Sequence, residues 1–214
     1  MENAFKDRAA AGRLLAQQLQ DYAGRDDVIV LALPRGGVPV AYEVAKALGV
    51  ALDVLVVRKL GVPFNAELAM GAVASGGALY VDQHVLRFAH VTQQQFDMVL
   101  ARERAELERR EVLYRGSRGP IKINGQTIIV VDDGIATGAS MRVAIDALRS
   151  NHPARVIVAV PVSPVETAAR LELIADDFIS VMTPSVFYSV GQFYDEFEQT
   201  SDDEVRNLLQ QASR

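Results

Sequence analysis

The sequence predicts an α/β fold, in which a mostly parallel, twisted sheet is flanked by helices. Short apolar runs that are rich in β-branched residues recur along the chain, as is typical of strands buried on both faces. Segments in which apolar residues have helical spacing lie between these runs. This alternation favours parallel strands joined by right-handed crossovers. Because ligands of such sheets bind beyond the carboxyl ends of the strands, we expect functional residues in the loops at those ends.

The first quarter of the chain contains two helix–strand units. Residues 6–22 have leucines at helical spacing and predict an amphipathic helix. Residues 28–33 form a short β-branched run that predicts the first core strand. Residues 38–48 predict a helix that ends at Gly49, since glycine commonly follows the last helical residue. Residues 52–57 predict a second buried strand.

The middle of the chain has a weaker pattern. Residues of about 60–77 include many small side chains and predict a flexible loop with short strand pieces. Within it, residues 72–74 are expected to pair with 78–81 across a glycine turn. An inserted helical segment over about 82–119 contains the longest helical pattern, at 92–115. The alternating charges of that pattern predict a solvated face with i,i+4 ion pairs.

The second half returns to the alternation of strands and helices. The predicted strand, helix, strand, helix and strand lie over 127–131, 140–150, 155–160, 165–174 and 178–182. Pro161 is expected to break the fourth strand. An aromatic-rich stretch follows, and Ser201 with Glu204 forms a capping box that opens a last helix. We expect one domain over residues 1–214, with a core over about 26–182 and a small C-terminal hood and helix over about 183–214.

Composition excludes several classes of protein. The 22 Lys and Arg residues against 27 Asp and Glu give a net charge of −5, which disfavours a nucleic-acid partner, because such proteins usually carry a basic excess. The absence of Cys excludes disulfide scaffolds, Cys-ligated zinc and cysteine nucleophiles. The first residues lack the apolar core of a signal peptide, and no apolar run reaches the roughly 18 residues of a membrane span. We expect a cytoplasmic protein without a membrane partner.

The most informative stretch follows the third predicted strand. That strand ends in Asp132 and Asp133, and a loop of small residues then leads into a helix. Small residues let the backbone approach a ligand, while loop N–H groups and a helix N-terminus attract an anion. Two hydroxyls add further donors. The pattern predicts a monophosphate cradle, formed by Ala136, Thr137, Gly138, Ala139 and Ser140.

The two aspartates need a different ligand, because carboxylates repel phosphate. They suit sugar hydroxyls, whose donors a carboxylate accepts, or a magnesium ion held through water. A ribose 5-phosphate carries a phosphate and, a few ångströms away, a diol, so it would match both parts of the loop. Taken alone, two adjacent acids at a strand end would be solvated loop carboxylates. The stretch lacks the lysine of a GxxxxGK[ST] loop, which disfavours a nucleoside triphosphatase.

The stretch from Ile128 to Ser140 resembles the signature that binds 5-phosphoribosyl 1-diphosphate (PRPP) in type I phosphoribosyltransferases. Gly134 departs from that signature, in which a larger apolar residue is commoner. The resemblance covers about residues 28–182. It implies that Leu33-Pro34-Arg35-Gly36-Gly37 is the pyrophosphate loop, which in the family often holds a non-proline cis peptide. The two glycines would allow unusual backbone dihedrals there, and an ordinary strand-to-helix turn is the alternative.

The resemblance also implies roles for single residues. Asp132 and Asp133 would hold the ribose hydroxyls and, through water, Mg²⁺. The implied catalytic residues are Asp132, Asp133, Arg35 and Lys59, and the implied pyrophosphate contacts are Arg35, Gly36, Gly37, Arg58 and Lys59. Arg58 and Lys59 are expected at the end of the second strand, before a loop that closes over the site; a solvated basic pair is the alternative. Candidate acceptor contacts are Glu67, Tyr188 and Phe193, with surface exposure or an aromatic mini-core as the alternatives.

The implied reaction transfers a phosphoribosyl group from PRPP to a nucleobase or related small acceptor and releases pyrophosphate, which would place the protein among the glycosyltransferases of nucleotide metabolism. The 6-oxopurine enzymes of the family usually carry a third Asp at the position of Ala136, so a hypoxanthine–guanine enzyme of that type is disfavoured. The alternatives are a non-catalytic regulator that senses PRPP or a nucleotide, and an assembly subunit that uses the charged helix. Homodimers are common in the family, and we expect one here.

Overall fold

The computed structural model describes residues 5–116, 119 and 122–212, apart from the side chain of Glu67. The described residues form eight strands, which are β1 (Val28–Ala32), β2 (Ala51–Val54), β3 (Val57–Val62), β4 (Asn65–Ala74), β5 (Ala78–Val81), β6 (Thr127–Val131), β7 (Arg155–Val162) and β8 (Asp177–Met182). Five of them form a parallel sheet in the order β2-β1-β6-β7-β8. The predicted parallel α/β core is confirmed.

Helices cover both faces of this sheet. They are α1 (Arg8–Gln17), α2 (Gly37–Leu48), α3 (Gln83–Phe88), α4 (Gln93–Arg115), α5 (Ala139–Arg149), α6 (Val165–Glu172) and α7 (Asp202–Ala212). Alternate strand residues belong to different layers: Val30 and Ile129 pack with α1 and α2, whereas Leu31 and Ile128 pack with α5. Because both faces are buried, the strands are continuously apolar, and this is the pattern that identified them in the sequence.

A second sheet, antiparallel and in the order β3-β4-β5, replaces the flexible loop predicted over 60–77. The small residues there allow close approach of strands. A Cβ at Gly61 would lie 2.7 Å from the carbonyl oxygen of Ala66, and one at Gly71 would overlap that of Tyr80. The predicted pairing across the glycine turn is confirmed, since Ala74 pairs with Ala78.

The second and fourth predicted strands have different ends in the structure. The second ends at Val54, and the next two residues lead into the antiparallel sheet, where Ser75 N–H donates to the Val56 carbonyl at 2.9 Å. The apolar run does not mark this break, because both sheets are buried. Pro161 does not break β7: the pairing with β6 ends at Ala159, so the missing N–H of proline has no partner strand on that side.

Helix α4 has the predicted length and begins at a capping box formed by Thr92 and Gln95. Its charges are less solvated than predicted. Glu103 is buried and accepts from Arg58 of β3. Arg102 donates to the adjacent Glu103 rather than to the glutamate four positions later in the helix. Arg115 is also buried. It pairs with Asp53 of β2 at 3.0 Å, so side-chain ion pairs attach the inserted helix to both sheets.

The N-terminal and C-terminal segments meet in a small hood. Phe5 N–H donates to the Phe193 carbonyl at 3.0 Å, and Asp195 N–H donates to the Phe5 carbonyl at 3.0 Å. The ring of Phe5 is buried against Tyr194, with their centroids 5.3 Å apart. Within the described part of the chain, none of the helices combines the length and the apolar character that crossing a bilayer requires.

Arg115→Ala should lower the free energy of unfolding by about 3 kcal/mol, because it removes a buried guanidinium from two partly buried carboxylates and a backbone carbonyl. Arg115 donates from Nε to Asp53 at 3.0 Å, from Nη1 to Glu111 and from Nη2 to the Val54 carbonyl at 2.7 Å. Urea unfolding measures the change. The matched control is Arg104→Ala at an exposed position of the same helix. Equal urea midpoints for the two variants would show that the hydrogen bonds of Arg115 do not stabilise the protein.

Candidate active site

Two loops meet at the carboxyl edge of the parallel sheet. Strands β1 and β6 are neighbours and pair in register, with Ala32 opposite Val131. The pairing continues beyond the strands, since Leu33 N–H donates to the Val131 carbonyl at 2.9 Å. The loop of residues 33–36 and the loop of residues 132–138 therefore lie side by side, as the sequence predicted.

The two glycines of the first loop pack directly against the two aspartates of the second. A Cβ at Gly36 would overlap Oδ2 of Asp133, and one at Gly37 would lie 2.9 Å from Cα of Asp132. Gly36 has φ −59° and ψ −32°, which any residue can adopt, so close approach rather than unusual dihedrals requires glycine. The Pro34–Arg35 peptide bond is cis, as the resemblance implies.

The two aspartates are crowded and poorly solvated. Burial raises the pKa of Asp132 well above its usual range, and the neighbouring charge of Asp133 raises it further. Burial also raises the pKa of Asp133, although the guanidinium of Arg8 opposes this shift. Oδ1 of Asp132 accepts from the N–H of Asp133 at 2.9 Å. The pair would be stabilised by further hydrogen-bond donors or by a cation.

Arg8 is a site residue that sequence reasoning missed. Its Nε donates to Oδ2 of Asp133 at 2.8 Å, and its Nη1 donates to the Glu198 carbonyl at 2.6 Å. The guanidinium lies 3.9 Å from the ring centroid of Phe197. No local pattern could reveal this residue, because 125 positions separate it from Asp133. The pairing of the N-terminal segment with the hood places it there.

Tyr194 connects the hood to the same loop. Its hydroxyl donates to the Asp133 carbonyl at 2.6 Å, and its ring stacks on Phe197 with centroids 4.9 Å apart. Burial raises the pKa of this phenol above its usual value, so it stays a neutral donor. Gly134 lies under the hood: a Cβ there would come within 2.6 Å of Val190 Cγ1. The hood valine thus explains why this chain departs from the signature at Gly134.

The predicted phosphate loop is open at the start of α5. Its N-cap, Gly138, has φ 78° and supplies no side-chain cap, while the neighbouring loop residues are largely exposed. Thr167 of α6 holds this loop in place, because its Oγ1 donates to the Ala136 carbonyl at 2.8 Å. Thr137 Oγ1 accepts only a long bond, 3.4 Å, from the Ala139 N–H. A helix start that its own side chains cap so weakly suits an anionic ligand.

The basic residues expected near the pyrophosphate lie apart from one another. Arg58 and Lys59 are within β3 of the antiparallel sheet, not at the end of the second parallel strand as predicted. Nη2 of Arg58 lies 2.6 Å from Oε2 of Glu103, and both basic residues line a cleft of about 720 Å³ between β3 and α4. Arg35 extends instead toward α7, where its Nη1 lies 3.8 Å from Oδ1 of Asp202.

The candidate acceptor contacts are not brought together. Phe193 is buried against Phe187, with centroids 5.3 Å apart, which supports the mini-core alternative. Tyr188 is exposed, and the side chain of Glu67 lies outside the described residues. A cleft of about 800 Å³ does open on the hood side of Arg8 and Tyr194, two residues that contact Asp133, and its lining also includes Phe197 and Pro39.

Comparison with known proteins agrees with this geometry. The family model described as "Phosphoribosyl transferase domain" matches residues 3–198. The Mycobacterium tuberculosis (strain H37Rv) protein named "Putative phosphoribosyl transferase Rv0571c" is 47% identical over 210 residues, which cover 98% of this chain and 47% of that protein. The chain thus spans about half the length of the curated relatives it matches first.

Two further similarities concern other organisms. The protein named "Bifunctional protein PyrR" from Chloroflexus aurantiacus is 30% identical over 129 residues, which cover 59% of this chain and 65% of that protein. The crystal structure of TT1426 from Thermus thermophilus superposes with a TM-score of 0.86 at 42% identity, and covers 97% of this chain and 98% of that one. The similarity to TT1426 extends over nearly the whole fold.

Asp132→Asn should stabilise the ligand-free protein at pH 8, because it removes a poorly solvated charge and keeps an oxygen that accepts from the Asp133 N–H. A raised pKa means that the folded state binds the proton of Asp132 more tightly than the unfolded chain does, so the contribution of Asp132 to the free energy of unfolding falls as pH rises above about 4. Each tenfold difference in proton affinity between the two states corresponds to roughly 1.4 kcal/mol.

Urea unfolding of wild type and variant between pH 4 and pH 8 measures this effect. The difference in unfolding free energy should widen as pH rises, and the control Asp21→Asn, at an exposed aspartate, should show no such trend. A difference that stays constant or narrows with rising pH would contradict the assigned burial of Asp132.

Proposed function

Because the chain belongs to the phosphoribosyl transferase domain family, we propose that it transfers the phosphoribosyl group of PRPP to a nucleobase or related small acceptor and releases pyrophosphate. The observation that carries the proposal is the direct packing of Gly36 and Gly37 against Asp132 and Asp133. This packing places a loop suited to pyrophosphate beside two acids suited to ribose hydroxyls. The open N-terminus of α5 follows on the same loop.

Each part of the site has one task in this reaction. The N–H groups and hydroxyls over 136–140 bind the 5-phosphate, and the hydroxyls of the ribose donate to Asp132 and Asp133. A nitrogen of the acceptor forms the new bond to C1 of the ribose and releases its proton to water, while the bond from C1 to the pyrophosphate oxygen breaks with its electron pair leaving on pyrophosphate. Positive charge develops on the sugar in between, and the nearby carboxylates stabilise it.

The residues present fit a magnesium ion that is bound together with PRPP. Mg²⁺ prefers hard oxygen ligands and is commonly held by one or two carboxylates plus substrate phosphates and water. Asp132 and Asp133 supply such carboxylates. Because no group of three or more His, Cys, Asp or Glu side chains that could bind a metal occurs among the described residues, the phosphates of PRPP and water would supply the other ligands. We propose Mg²⁺ as the cofactor; when bound it neutralises charge that develops on the leaving pyrophosphate.

The proposed acceptor site is the cleft that Arg8 connects to Asp133. Phe197 lines it together with Arg8 and is 36% exposed, so a heteroaromatic base can pack against the exposed part of this ring. Ala136 supplies no group that transfers a proton to or from the acceptor, which argues against a 6-oxopurine enzyme that uses an acid at this position. We also propose a homodimer, as the family resemblance implies, and sedimentation at several concentrations tests it. The cytoplasmic location expected from the sequence stays a proposal.

The test is release of pyrophosphate from PRPP and Mg²⁺ across a panel of nucleobases. The double variant Asp132→Asn with Asp133→Asn should lower kcat/KM by about 100-fold or more, because charge stabilisation at the sugar is lost. It should also abolish the rise in Tm that PRPP causes in the wild-type protein. The matched control is Asp21→Asn with Asp26→Asn, which changes charge equally at exposed positions and should leave both readouts unchanged.

The outcomes separate the alternatives. Turnover with any acceptor supports the transferase. A rise in Tm with PRPP but no turnover with any base would favour the non-catalytic regulator, which binds the same ligand through the same residues. Absence of both would overturn the assignment of the site.

A further inference from the structure

A second pocket opens against the Pro34–Arg35 peptide, on the side of α4 and α7. It has a volume of about 420 Å³, and its polar lining comprises Arg35, Arg109, Arg110, Tyr114 and Asp202. Three guanidiniums from two distant segments of the chain therefore face one small space. The inserted helix α4 supplies two of them, and the loop that packs on the site aspartates supplies the third.

The carboxylates near these arginines do not use all of their donors. Glu106 accepts from Arg109 at 2.8 and 3.0 Å and from Nε of Arg110 at 2.7 Å. Arg110 thus uses one of its five N–H donors on Glu106. Asp202 lies 3.8 Å from Arg35, which is too far for a hydrogen bond. With three guanidiniums against two carboxylates, the pocket has a net positive charge.

Asp202 occupies the position of an anionic ligand in this pocket. Its Oδ1 accepts from the hydroxyl of Tyr114 at 2.9 Å and is also the atom nearest to Arg35. A carboxylate oxygen here stands in for a phosphate oxygen, and the donors nearest to it are the Tyr114 hydroxyl and the guanidinium of Arg35, which would bind a phosphate group in a bidentate manner. An incoming phosphate group therefore competes with Asp202 for these donors.

The loop that packs on the site aspartates also lines this pocket, through Pro34 and Arg35. Arg35 precedes Gly36, whose Cα lies so close to Asp133 that a methyl group would overlap the carboxylate. A ligand whose sugar lies on Asp132 and Asp133 would therefore have its C1 substituent near Arg35. In PRPP that substituent is a diphosphate.

We propose that Arg35, Arg109 and Arg110 bind the diphosphate group of PRPP and the pyrophosphate released from it, and that Asp202 competes with this group in the ligand-free protein. The inference rests on the proposed function, since it assigns the ligand of the same site. It gives the inserted helix α4 a direct part in substrate binding.

The experiment is isothermal titration calorimetry on the full chain with three ligands in Mg²⁺ buffer: inorganic pyrophosphate, PRPP and ribose 5-phosphate. Arg110→Gln should weaken binding of pyrophosphate and PRPP about tenfold and change the Kd of ribose 5-phosphate less than about twofold, because that ligand lacks the diphosphate. Arg110→Lys should lie between wild type and Arg110→Gln, since it keeps the charge and loses the planar fork. The matched control Arg104→Gln should leave every Kd unchanged.

Asp202→Asn should change the affinity for pyrophosphate in the opposite direction. It should tighten pyrophosphate binding about three- to tenfold, because the competing charge is removed while an oxygen remains to accept from Tyr114. Unchanged pyrophosphate binding in Arg110→Gln, or weaker binding in Asp202→Asn, would overturn the proposal. Circular dichroism verifies the fold of each variant, and the lysine variant keeps the test decisive should the glutamine variant unfold.

The ligands also separate this inference from the proposed function. If ribose 5-phosphate binds and the Kd of pyrophosphate is the same in wild type and Arg110→Gln, the arginine pocket is refuted and the sugar site is retained. Pyrophosphate binding that depends on Arg110, without binding of ribose 5-phosphate or PRPP, would support the pocket and refute the phosphoribosyl site.

Discussion

The close packing of two loops at the carboxyl edge of the sheet is the constraint on which the rest of the site depends. Strands β1 and β6 are parallel neighbours, so the loops that follow them must lie side by side. Glycine at positions 36 and 37 lets the backbones approach until the carboxylates of Asp132 and Asp133 lie against the first loop. The two aspartates, the start of α5 and the backbone of Arg35 are thereby fixed relative to one another by the packing of the two loops.

This arrangement has an energetic cost in the ligand-free protein. Two adjacent carboxylates with poor solvation disfavour the ionised state, as their raised pKa values show. The hood offsets part of this cost, because Arg8 pairs with Asp133 and Tyr194 binds the same loop. A site whose charges are stabilised incompletely without a ligand is well suited to bind one that supplies donors or a cation.

The sequence was informative wherever the signal was local. The buried strands are contiguous apolar runs, so their pattern predicted the fold. The acids at the end of β6 and the small-residue loop are also contiguous, and they led to the phosphoribosyl site that we propose. Side-chain pairs between distant segments left no such pattern: Arg8 with Asp133, and Arg58 with Glu103. The segment 60–77 was mistaken for a loop because small residues that allow strands to approach resemble those that make loops flexible.

The crystal structure of the complex with PRPP and Mg²⁺ is the most direct test of this account. It should show the 5-phosphate against the N–H groups over 136–140 and the ribose hydroxyls on Asp132 and Asp133. PRPP bound elsewhere on the chain, or a cleft in which side chains occupy the volume between the two loops, would contradict it.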